Sequence, residues 1–166
     1  SVDDALPLIQ GAFKETERRY ALMREKGVSN VDELPPGDRL PRLVVVIDEF
    51  ADLMADRASR AELESPLKRL GAKARAAGVH LVLATQRPEA RVVTPLLRSN
   101  LPGRICLKVS SEADSKIVLQ QPDAYYLLGR GDLFVERGGE LLRVQSPYVE
   151  QSELKRELGI ALEASS

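Results

Sequence analysis

The chain of 166 residues is 43% hydrophobic and 30% charged with a formal net charge of −1, so it is long enough for one compact core and has no global basic field to gather a polyanion. A single cysteine, Cys106, excludes a disulfide framework and a cysteine-based zinc site, and its apolar surroundings mark it as a small buried side chain. No apolar stretch reaches the ~20 residues that a membrane-spanning helix needs, and the first residues hold no signal-peptide core, which predicts a cytosolic chain.

Leu6, Ile9, Phe13, Tyr20 and Met23 recur at helical spacing and predict an amphipathic helix from residue 2 to about 26, stopped by Gly27. Residues 28–42 carry Pro35-Pro36-Gly37-Asp38 and no period, and read as a loop. Leu43-Val44-Val45-Val46-Ile47 is aliphatic without alternation, the pattern of a strand covered on both faces in a parallel sheet. Ser59 with Glu62, and Ser65 before Pro66, are helix start signals, and a helix from about 66 to 77 follows, stopped by Gly78. Its Gly71, Ala72, Ala74, Ala76 and Ala77 permit close approach to a neighbouring element.

Residues 79–84 form a second buried strand, with His80 expected in the core, and run out into Thr85-Gln86-Arg87-Pro88. Thr94-Pro95 opens a short helix to about 98, residues 104–109 are a third strand, and Ser111-Glu112-Ala113-Asp114 caps a helix to about 120. Residues 132–136 and 141–145 flank Arg137-Gly138-Gly139-Glu140, a hairpin signal, and a last amphipathic helix starts near Ser152. The alternation of strand and helix predicts an α/β fold, a mostly parallel sheet with flanking helices and a C-terminal β-hairpin. Sites in such sheets lie beyond the carboxyl ends of the strands.

Asp48 and Glu49 fall at such an end. Mg²⁺ keeps several waters and accepts one or two carboxylates, so Asp48 suits a cation held through its water shell. Glu49 beside it suits the orientation of a water that attacks a terminal phosphate. The plain alternative is a solvated strand end or a helix cap. Thr85 and Gln86 arrive at the same edge, where an amide can sense a phosphate or simply cap a turn. No G-x-x-x-x-G-K-[ST] phosphate loop occurs in the 166 residues.

Four blocks in order then carry a resemblance: Glu17-Arg18-Arg19-Tyr20-Ala21-Leu22-Met23, the run from Val46 to Met54, the run from Lys73 to Pro88, and Leu127-Leu128-Gly129-Arg130-Gly131-Asp132. With them the chain resembles the FtsK/SpoIIIE family of DNA-translocating motors, which are hexameric RecA-like P-loop ATPases. The resemblance implies ATP and Mg²⁺ as cofactors, double-stranded DNA as partner and a hexameric homo-oligomeric ring. It implies that Asp48 and Glu49 are the Walker B pair, with Asp48 on the metal, that Gln86 senses the phosphate beside the nucleotide-contacting Thr85, and that Arg75 is an arginine finger reaching a neighbouring subunit. Apart from the resemblance, Arg75 also reads as a cation favourable at a helix C-terminus. By the same resemblance Arg87 and Arg98 touch the DNA backbone, which supplies affinity without sequence information.

Glu112 stands where the family usually carries a basic residue, and Lys116 replaces a usual arginine. The family's Walker A strand, loop and helix are expected ahead of Ser1, so the chain reads as a partial motor domain: a leading helix (1–27), a loop (28–42), a Walker B and sensor sheet core (43–149) and a C-terminal helix (150–166). The alternatives are a non-hydrolysing partial domain that serves assembly or DNA binding, and a repurposed α/β module.

Overall fold

The computed structural model describes residues 2–163. After Pro102 the chain divides into two compact units, each with its own buried cluster, where composition alone suggests a single core.

In the first unit, α1 (Val2–Glu25) buries Ile9, Ala12, Thr16, Arg19 and Met23 and ends before Gly27, whose φ of 70° suits a residue without Cβ. The segment read as a loop holds two 3₁₀ turns, Val31–Glu33 and Pro36–Asp38. The first forms because Asn30 and Glu33 cap each other's backbone reciprocally, and it buries Val31 and Leu34 with Met23. Strands β1 (Leu43–Ile47) and β2 (Val79–Leu83) pair in parallel, Leu43 opposite Val79 and Ile47 opposite Leu83.

One face of this pair, with Leu43, Val45, Ile47, Leu81 and Leu83, packs on the main cluster of Phe50, Leu63, Leu67 and Leu70. The expectation of a strand covered on both faces is not met. Val44, Val46 and Val82 are 55%, 64% and 46% exposed, and His80, expected in the core, is exposed with them. Aliphatic runs report β-branched preference as well as burial, and the alternation is set by the pleat.

Between the strands lie the short α2 (Phe50–Leu53) and α3 (Arg57–Lys73). Helix α3 starts nine residues before the expected Pro66, because Asp56 is its cap and accepts the Ser59 N–H at 2.9 Å. Pro66 is carried inside the helix. A Cβ on Gly71 would sit 3.1 Å from Asn100 Cβ, which bears out close approach, here by α4 (Pro95–Asn100). Thr94 caps α4 as expected.

In the second unit, β3 (Arg104–Leu107) does not extend a parallel sheet. It pairs antiparallel with β4 (Asp132–Arg137), which pairs with β5 (Glu140–Gln145) across a two-residue turn. Gly138 and Gly139 have φ of 64° and 86°, the geometry that matches the strand twist. The mixed α/β class holds, with its parallel pair in the first unit. Helix α5 (Glu112–Leu119), capped by Ser111, covers Cys106, whose thiol is pushed up to about 11 by burial. A final helix, α6, spans Gln151–Glu163. Among the described residues no helix is long and apolar enough to cross a membrane.

The block ending in Asp132 is a tight entry to β4, with Gly129, Arg130 and Gly131 all at positive φ. Asp132 is buried and accepts N–H groups from Arg143 Nη2 and Nε, at 2.7 and 3.0 Å, and the Leu128 N–H at 2.7 Å. Arg143 first, then the amide, hold its carboxyl at about 2 against an ordinary 3.8. A depressed folded value stabilises fully above the unfolded one and is lost as pH falls through the folded one. Acid titration of unfolding should therefore show a loss between about 4 and about 2 that Asp132→Asn reduces, Glu15 contributing the remainder. An unchanged slope in that variant would assign the loss to other carboxylates.

Candidate functional site

The parallel register brings the ends of β1 and β2 together. Ala84 clasps the residues that follow β1 from both sides: its N–H donates to Ile47 O at 2.9 Å and its carbonyl accepts the Phe50 N–H at 2.7 Å. Asp48 and Glu49 are the two residues held between these bonds. Glu49 consequently adopts φ 46° and ψ 57°, a left-handed conformation that costs a non-glycine residue on the order of 1–3 kcal/mol. Strain of this size is retained where the side chain, not the backbone, is needed.

The Glu49 carboxylate accepts the Thr85 hydroxyl at 2.7 Å and the Gln86 N–H at 3.2 Å. These donors, Thr85 first, lower its pKa, since hydrogen bonds to the charged form favour it. Glu49 is thus an anion at neutral pH, fixed in direction. Among the described residues the exposed Asp48 makes a single hydrogen bond, accepting the Glu49 N–H at 3.0 Å through Oδ1. An open cleft of ≈ 360 Å³ faces the pair, bounded by Asp4, Ala5 and Leu8 of α1 and by Ile47, Asp48, Glu49 and Asp52.

Hard oxygen donors at an open strand end fit a hydrated divalent cation that takes its remaining ligands from water and a phosphate. Among the described residues no three His, Cys, Asp or Glu side chains converge into a closed cage. Such a cage is the coordination Mg²⁺ least needs beside a nucleotide.

Of the residues singled out in the sequence, Asp48, Glu49, Thr85 and Gln86 are thus neighbours, with the Gln86 side chain exposed. Arg87 stays beside them. Its N–H donates to Thr85 Oγ1 at 3.0 Å and its guanidinium pairs with Asp52. The sequence assigns Asp52 no role of its own; it lies within the run from Val46 to Met54, four residues beyond Asp48. Arg98 lies half-buried in the last turn of α4.

Arg75 is not brought to the carboxylates. It is exposed and precedes β2, whereas Thr85 follows it, and the two ends of that strand lie about 13 Å apart at about 3.3 Å per residue. That span exceeds the reach of an arginine side chain. In the second unit Glu112, the departure from the family's basic residue, accepts Lys116 Nζ at 3.4 Å and the Tyr126 hydroxyl.

The FtsK/SpoIIIE family model matches residues 34–90. DNA translocase FtsK of Helicobacter pylori is 42% identical over 160 residues, and DNA translocase SftA of Bacillus subtilis is 41% identical over 161. Both alignments cover 92% of this chain but only 18% and 17% of those proteins, so the chain spans about a fifth of the length of the curated relatives it matches. Among solved structures, the pCW3 conjugation coupling protein TcpA, in its monomer form with ATPγS, superposes with a TM-score of 0.84 at 31% identity, over 97% of this chain and 49% of that one.

Proposed function

Because the chain belongs to the FtsK/SpoIIIE family, we propose that it forms the metal-and-water half of the ATPase centre of a double-stranded DNA translocase. The observation that carries this reading is Glu49, an anion held at the strand edge in a left-handed backbone conformation by Thr85 and Gln86, with Asp48 free to take a hydrated Mg²⁺ beside it. Relatives that are DNA translocases and a structural neighbour solved with ATPγS support nucleotide and DNA as the ligands.

In this role Asp48 holds the metal through water, Glu49 orients the attacking water, and Gln86 meets the terminal phosphate. The metal, when bound, neutralises charge on the transferred group. The phosphate loop that such a centre uses is not among these 166 residues. Arg75, too far along β2 to reach its own site, acts on the site of the next subunit in a hexameric ring, which puts the functional centre between copies. Arg87 and Arg98 contact the phosphate backbone of the DNA. Asp52 neutralises Arg87 in the absence of DNA, so a phosphate must replace a carboxylate there. Chromosome or plasmid DNA movement during cell division is the biological setting this reading implies.

The test is ATP turnover by the intact oligomer with and without duplex DNA. Turnover should rise on adding duplexes of unrelated sequence to similar extents, because phosphate contacts carry no sequence information. Turnover indifferent to DNA would contradict the translocase reading.

A further inference from the structure

The segment that carries Arg75 is held more completely than the end of a helix requires. The last carbonyls of a helix have no intrahelical partner and are commonly left to water. Here six successive carbonyls, from the last residue of α3 to the residue before β2, are all engaged. Lys73 O accepts the Tyr20 hydroxyl at 2.9 Å, and Ala77 O accepts Arg19 Nη1 at 3.1 Å. Between them Ala74 O, Arg75 O and Ala76 O accept the N–H groups of Val79, Gly78 and Val31, at 3.0, 3.0 and 2.9 Å, and Gly78 O accepts that of Leu43 at 3.0 Å.

Two of these donors are consecutive side chains on α1, and Arg19 is only 4% exposed. Burying a guanidinium is costly unless its hydrogen bonds are satisfied. Glu15 satisfies part of it, accepting Arg19 Nε at 2.8 Å, and remains charged because Arg18 and Arg19 hold its carboxyl at about 2. Ala74 and Ala77 are buried while Arg75 is exposed. The backbone on both sides of Arg75 is therefore fixed and only its side chain projects.

We propose that Arg19 and Tyr20 are positioning residues for Arg75, a clamp from α1 on the carbonyls of Lys73 and Ala77 that sets the direction in which the arginine leaves the subunit. The proposal rests on the reading of Arg75 as a group acting on a neighbouring site. Arg19 is buried and cannot itself reach a phosphate. A misplacement of about 1 Å at a reacting centre costs up to about 10²-fold in rate, so a group that must act across a subunit boundary gains from a fixed base. The exposed pair of Lys73 and Glu17, at 3.3 Å, lies on the same seam and adds little by itself.

The test uses the intact, DNA-stimulated oligomer. Tyr20→Phe removes the hydroxyl and keeps the ring; it should lower kcat about 5- to 10-fold with KM for ATP and the melting temperature nearly unchanged. In an Arg75→Ala background, with residual turnover followed by radiolabelled ATP, the same change should have less than about a twofold effect, because a clamp without its arginine has nothing to aim. Arg19→Lys, which keeps the cation but loses the fork, should behave likewise. Equal effects in both backgrounds, or no effect of Tyr20→Phe on kcat, would overturn the clamp while leaving the finger reading intact. Undiminished turnover in Arg75→Ala alone would overturn the finger reading, and the clamp with it.

Discussion

Glu49→Gln should lower the ATP turnover of the intact protein by about 10²-fold or more while duplex DNA binding stays within about twofold of wild type. The amide is nearly isosteric and its one oxygen still accepts the Thr85 hydroxyl, so the site loses the charge and the second acceptor, which takes the Gln86 N–H. A group that positions and polarises the attacking water contributes about 10²–10⁴ in rate, and that contribution disappears with the carboxylate. Asp48→Ala should be equally severe, because it withdraws the oxygen that anchors the metal's water shell. The hydrogen bond from Thr85 is the largest influence lowering the Glu49 pKa. Thr85→Val should therefore move the acid limb of the kcat profile to higher pH, since the charged form loses its best donor. A Glu49→Gln protein with wild-type turnover would remove Glu49 from the chemistry.

Arg75→Ala should cost about 10³-fold or more in turnover, the scale of an arginine supplied to a transferring phosphoryl group from a neighbouring molecule. Its placement makes a sharper prediction. Arg75 and Glu49 lie toward opposite ends of the parallel pair, whose strands are about 13 Å from end to end. On the proposed reading a single active centre draws Glu49 from one subunit and Arg75 from another. Mixing Arg75→Ala subunits with Glu49→Gln subunits should restore activity that neither has alone, because some junctions then pair an intact carboxylate with an intact arginine. Demonstrably mixed oligomers without any recovery would place Arg75 within its own subunit.

Local chemistry made much of this architecture legible in the sequence. Aliphatic runs marked β1 and β2, Thr94 and Ser111 marked their helices, and Gly138-Gly139 fixed the hairpin through a turn that needs positive φ. Asp48, Glu49, Thr85 and Gln86 could be grouped because parallel strands in register end together. What depends on pairing partners far along the chain was not legible. β3 has the composition of a parallel strand, yet its neighbour is the hairpin strand β4, a choice that the strand's own residues do not record. Pro66 reads as a helix start and is carried inside α3, since Asp56 supplies the earlier cap. The strain at Glu49 arises from the two bonds to Ala84, and the grip of Arg19 and Tyr20 on residues 73–77 spans more than fifty residues. Neither leaves a periodic trace. Both concern the functional residues themselves, where local preference is expected to yield to the site.

On the proposed reading Asp48 and Glu49 power movement along DNA. The most direct measurement is ATP-driven displacement of a triplex-forming oligonucleotide from a long duplex, with the wild-type oligomer and Glu49→Gln compared at equal DNA occupancy. The wild type should strip the oligonucleotide at a rate set by ATP, and Glu49→Gln should leave it in place while still bound to the duplex. Displacement by Glu49→Gln at the wild-type rate would show that movement does not depend on the Glu49 carboxylate.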